Sequence, residues 1–145
     1  MTPNGALTAV IARLTAAGLV QARSPLGVSN ASSQRIHRSF SVRAQSVGPS
    51  SSPGRGRPNV AGLRVTQAFN IQLGHQLKPA DGLQAPSQAL QDYHTALKHL
   101  SAEGTTLTQE GAIIFGQASH SYVGGGAFLV TSFSLNVTYE LSLVI

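Results

Sequence analysis

The sequence predicts an α+β fold: one helix packed on a small antiparallel sheet, preceded by a disordered basic N-terminal segment. Three observations predict it. The tail from Phe133 to Ile145 alternates apolar and polar residues, Leu90, Tyr93, Leu97 and Leu100 recur at helical spacing, and no acid precedes Asp81. A strand, then a helix, then several strands argues for helices segregated to one face of an antiparallel sheet.

Charge order divides the chain. Residues 1–80 hold Arg13, Arg23, Arg35, Arg38, Arg43, Arg55, Arg57, Arg64 and Lys78 with no acid, whereas residues 81–145 hold Lys98 against Asp81, Asp92, Glu103, Glu110 and Glu140. Such asymmetry marks a tail or targeting segment more often than a globular unit. An Arg-rich, Ser-rich, acid-free start is the composition of an organelle import sequence. Leu7, Val10, Ile11 and Leu14 share one helical face, giving a short amphipathic helix that a receptor groove or an anionic membrane surface stabilises. A secretory signal is disfavoured because no basic region precedes the apolar stretch and Arg13 interrupts it.

Two processing patterns overlap. Arg38-Ser39-Phe40-Ser41 resembles a mitochondrial presequence site cut between Phe40 and Ser41. Val42-Arg43-Ala44-Gln45 resembles a chloroplast transit site cut between Ala44 and Gln45. The early Arg13 and the amphipathic start favour mitochondria, with the chloroplast as the alternative. The expected organisation is therefore a presequence over 1–44, a disordered linker over 45–60 containing the Ser/Pro/Gly-rich run Ser46–Pro58, and a small α+β domain over 61–145.

Within that domain, Val65, Gln67, Phe69, Ile71 and Leu73 share one face of a predicted strand. Gly74 to Pro86, with Asp81-Gly82, reads as a loop. A helix follows: Pro86 and Ser87 suit its start, Gly104 its end, and Gln91, Asp92, Thr95, Lys98 and Glu103 its outer face. Thr105–Leu107, Ala112–Phe115 and Ala127–Val130 read as short strands, and Gly124-Gly125-Gly126 as a hairpin turn or bulge. In the tail, Phe133, Leu135, Val137, Tyr139, Leu141, Leu143 and Ile145 share a face. Its length predicts a bend or bulge inside it.

Composition removes several functions. Without Cys, disulfides, thiolate metal sites and cysteine nucleophiles are excluded. No run of about 18 apolar residues exists to form a transmembrane helix. The Arg residues are spread from Arg13 to Arg64, two to twelve apart and almost without aromatics between them, which argues against a nucleic-acid partner. The HExxH zinc pattern and the GxSxG nucleophile elbow are absent, and no metal or cofactor is expected.

Histidines are the remaining acid–base candidates. His94 is the candidate catalytic residue, with His75 or His120 joining it from loops. His94 and Lys98, four apart on the helix, form a candidate anion-binding pair. His94 and His99 are about 140° apart around the helix and do not share a metal from it.

Leu97, Ala102-Glu103-Gly104, Gly111 and Gly125-Gly126-Ala127-Phe128-Leu129-Val130 together resemble the YCII-related proteins. That resemblance implies a small ferredoxin-like domain that dimerises through its sheet, with a helix histidine whose position falls at Tyr93, one residue before His94. Two functions are thus expected. The favoured one is a non-catalytic binding or assembly subunit, imported into an organelle and pairing through a sheet edge with an organelle protein or a second copy. The alternative is a small ferredoxin-like enzyme using a helix histidine.

Overall fold

The structure is a computed structural model that describes residues 1–22, 37–49, 62–76, 84–123 and 128–142. Its elements are α1 (Pro3–Ala16), β1 (Val20–Gln21), β2 (Ser39–Pro49), β3 (Gly62–Gln76), α2 (Gln84–Leu100), α3 (Thr106–Glu110), β4 (Gly111–Phe115), β5 (Ser119–Val123) and β6 (Phe128–Ser142). The strands form one six-stranded sheet in the order β1-β2-β3-β6-β4, with β5 also paired to β6. β1 runs parallel to β2, and the remaining pairs are antiparallel.

The alternating tail becomes the central strand. β6 faces β3 without a register shift from Gly62↔Ser142 to Gln76↔Phe128. Its other side is shared, β4 ending at Phe115↔Leu135 and β5 starting at Ser119↔Ser132. Residues 116–118 therefore stand against Phe133 and Ser134 alone, and the extra residue makes a bulge. The bend expected inside the tail lies on its neighbour instead. Gly116 occupies that bulge because a Cβ there would collide with the Ser134 hydroxyl.

One sheet face is apolar and covered by the helices. Phe40, Phe69, Ile71, Leu73, Phe133, Leu135, Val137 and Tyr139 meet Ala6, Val10 and Leu14 of α1, Ala96 and Leu100 of α2, and Leu107 of α3. The opposite face carries Thr66, Asn70, Gln72, Ser132, Ser134, Asn136 and Thr138, with the Thr66 and Thr138 hydroxyls bonded at 2.9 Å.

The α+β class therefore holds, but one helix on a small sheet does not describe it. Among the described residues there are three helices, and the basic N-terminal segment supplies α1, β1 and β2 in place of disorder, its residues 23–36 lying outside the described residues. The local signals for α1 are complete. Thr2 accepts a capping bond from the Gly5 N–H at 3.0 Å, Pro3 opens the helix, and Gly18, at φ +91°, follows its end. Ala6, Val10 and Leu14 are fully buried, while Leu7 and Ile11 pack at the margin. Of the expected linker, residues 45–49 lie in β2, and residues 50–60 lie outside the described residues.

Three smaller corrections concern the C-terminal half. α2 buries Ala89, Asp92, Ala96 and Leu100, so Leu90 is exposed and Asp92 faces inward. The small alanines let the helix approach the sheet closely, and Asp92 finds donors there. The helix ends at Leu100, and Gly104 sits at φ +80° in the turn that follows. Thr105–Leu107, expected as a strand, instead opens α3 and inserts Leu107 into the core. Gly124-Gly125-Gly126 lies outside the described residues, between the antiparallel partners β5 and β6.

Candidate functional site

A polar cluster lies where β3 ends beneath α2. His75 continues the odd-numbered face of Phe69, Ile71 and Leu73, so it points into the core and is fully buried. Asp92 reaches it from α2, its Oδ2 standing 2.7 Å from His75 Nε2. Arg38, just before β2, donates Nε to Oδ2 and Nη2 to Oδ1, both at 3.0 Å. Gln88, one helical turn earlier on α2, donates Nε2 to Oδ1 at 3.0 Å. The carboxylate thus accepts four hydrogen bonds, each oxygen taking two.

These bonds fix the charge states. Burial alone pushes the Asp92 carboxyl upwards, but the bonds from Arg38, His75 and Gln88 and the guanidinium charge outweigh it, leaving its pKa below the usual range. The Asp92 bond and charge raise the Arg38 pKa. Burial dominates at His75 and lowers its pKa, against the opposing pull of Asp92. A neutral His75 beside an ionised Asp92 carries its proton on Nε2 and donates it to the carboxylate. Its Nδ1 is then a bare acceptor, and among the described residues this buried nitrogen has no partner.

Arg38 is held at φ +54°, the left-handed region, which costs an L-residue roughly 1–2 kcal/mol. Its bidentate bond to a buried carboxylate offsets that strain. Next to it, His37 meets His75 edge-on at 6.1 Å between ring centroids and accepts the Gln76 N–H at Nδ1, at 3.3 Å.

An Asp–His pair with a bare second nitrogen has the orientation of a general base or of a metal ligand backed by a carboxylate. His75 has no exposed surface, Arg38 adds positive charge beside it, and no three metal-ligating side chains gather among the described residues. What the arrangement does physically is tie α2, the end of β3 and the entry to β2 together.

Of the sequence-derived candidates, His75 lies at the end of β3 rather than in a loop and joins the cluster without His94; the others lie elsewhere. His94 and Lys98 are exposed on the outer side of α2. His94 is two residues from Asp92 and so points about 200° away from the cluster. His120 is in β5, with its Nδ1 2.9 Å from Thr131 Oγ1. His99 accepts from Arg13, whose Nε also reaches the His99 carbonyl at 3.2 Å. Phe40, Ser41, Ala44 and Gln45 all lie within β2, Phe40 fully buried against the helices.

Sequence reasoning missed the cluster, yet two signals for it were present. Asp92 falls at i+3 from Ala89 and i−4 from Ala96, on a row of small residues suited to burial. His75 keeps the parity of Ile71 and Leu73. No protein-family model matches this sequence, and no curated protein matches it either. Among the described residues the element order α-β-β-β-α-α-β-β-β departs from the β-α-β-β-α-β order of ferredoxin-like domains.

Proposed function

We propose that this protein is an organelle-imported, non-catalytic binding or assembly subunit that engages another protein chain along the outer edge of β2. Mitochondria are the favoured destination and chloroplasts the second. The direction of the β2 backbone is the observation that carries the reading. The Val20 N–H donates to the Arg38 carbonyl and the Ala22 N–H to the Phe40 carbonyl, so even-numbered residues at the start of β2 point their peptide groups outwards. Among the described residues, β1 covers that edge at Ser39 and Phe40, and by strand alternation Val42 and Ala44 present the next outward N–H and C=O groups.

Such a row is a template for an added strand. The bulge between Ala44 and Ser46, and Pro49 beyond it, restrict the pairing segment to Ser41–Ala44. Exposed Val20 and Val47 flank it and supply apolar contact. A catalytic reading would pass from His94 to His75, the histidine with a carboxylate partner, but its burial supports a structural role.

Proline scanning tests the edge. Ala44→Pro removes an outward N–H and leaves the β2–β3 pairing intact, whereas Arg43→Pro removes an inward one. With size-exclusion and light scattering on the purified chain, alone and with organelle extract, Ala44→Pro is expected to abolish a complex seen with the parent while preserving its circular dichroism. Arg43→Pro is expected to lose folded signal. A complex that survives Ala44→Pro unchanged contradicts the edge reading.

A further inference from the structure

The segment read as an import signal is also part of the core. The stripe that a receptor would grip, Leu7, Val10, Ile11 and Leu14, is the face that α1 turns inwards, with Val10 and Leu14 fully buried. Arg13, the positive charge on that helix, is bonded to His99 at the end of α2, and the Pro3 carbonyl accepts from Gln67 of β3. The two processing positions are equally engaged. Phe40 pairs with Leu73 and Ala44 with Phe69, so both bonds lie inside a paired strand. Cutting after Phe40 would remove Ala6, Val10, Leu14, Leu19 and Phe40 from the core and Arg38 from Asp92. Use of this surface as an import signal and its use in the core exclude each other in time.

We infer that residues 1–44 act twice: first, in the unfolded chain, as the targeting signal, and then, uncleaved, through α1, β1 and the start of β2, which complete the fold. Folding hides the signal, so a chain that folds before it reaches the organelle stays outside. The partner of the exposed stripe is an apolar receptor groove that reads an amphipathic helix with one positive charge. This rests on the import reading above, and adds to it the retention of the segment and its masking by the fold.

The experiment is import of the full chain into isolated, energised mitochondria, with parallel samples of folded protein and of protein diluted from urea, followed by external protease. Expected is at least a tenfold larger protected band from the unfolded sample, at the unshortened mass of 15.0 kDa. Leu135→Ala loosens the core without altering residues 1–44, and is expected to raise import of the folded sample several-fold. A protected product beginning at Ser41 or Gln45 overturns retention while import stands. Equal protection of folded and unfolded samples overturns masking while import stands. Protection from neither sample, in mitochondria or in chloroplasts, overturns the import reading and this inference with it.

Discussion

His75 Nε2 stands 2.7 Å from Asp92 Oδ2, joining the last residues of β3 to the middle of α2 in the absence of any exposed imidazole surface. The carboxylate is the hub of this contact, because Arg38 and Gln88 also depend on it. Asp92→Ala strands a buried imidazole N–H. Breaking a buried ion pair from one side costs about 3–5 kcal/mol, a large share of a small domain's net stability of about 5–15 kcal/mol. Because Arg38 is partly exposed, the loss should fall towards the lower end. Urea denaturation of the variant and parent is expected to show it.

Replacing Arg38 separates strain from attraction. Arg38→Ala loses the bidentate bond and keeps the left-handed backbone, whereas Arg38→Gly loses the bond and relieves the backbone. Both should be destabilised, with the glycine variant more stable than the alanine variant by about 1 kcal/mol. Equal stabilities would mean that Arg38 carries no backbone strain.

Stability should depend on pH through His75. Its folded pKa lies below the unfolded value of about 6.5, so in that interval the unfolded chain binds the extra proton and stability rises with pH. Acidification from pH 7.5 towards 5.5 should therefore lower the Tm, with a slope of at most about 1.4 kcal/mol per pH unit from this group. Asp92, whose folded pKa is depressed, adds stability that is complete above about pH 4 and lost below it. His75→Gln keeps a donor for Asp92, and is expected to flatten the slope above pH 5 in scanning calorimetry.

A second buried polar pair holds the other end of the sheet. Tyr139 donates to Gln67 Oε1 at 2.8 Å, and Gln67 Nε2 donates to the Pro3 carbonyl at 3.3 Å, linking β6, β3 and α1. Tyr139→Phe leaves the Gln67 oxygen without its donor and should cost about 1–3 kcal/mol. Gln67→Leu should cost a similar amount, and the double variant less than the sum.

Much of the C-terminal half was legible in the sequence. Period-two runs placed β3 and β6, because one face of each is buried and the other is polar. The helix was legible too, but its facing was not. Hydrophobicity assigned Leu90 to the core, and Asp92 won the inward position because Arg38 and His75 converge on it from distant points in the chain, joined by Gln88 from one turn earlier. The basic half misled for a related reason. Its lack of acids reads as a tail, since sequence order does not show that Arg38 pairs with Asp92 or that Arg64 stands opposite Glu140 in the sheet. The charge imbalance between the halves is partly met by contacts between them.

The central claim is that the basic N-terminal segment is an integral part of the fold. Thermal unfolding of the full chain beside a chain beginning at Gln45, followed by near-ultraviolet circular dichroism, tests it most directly. The account predicts a single cooperative transition for the full chain and none for the shortened one, which lacks α1, β1, Phe40 and the Arg38 contact to Asp92. A shortened chain that melts cooperatively at the same temperature would contradict it.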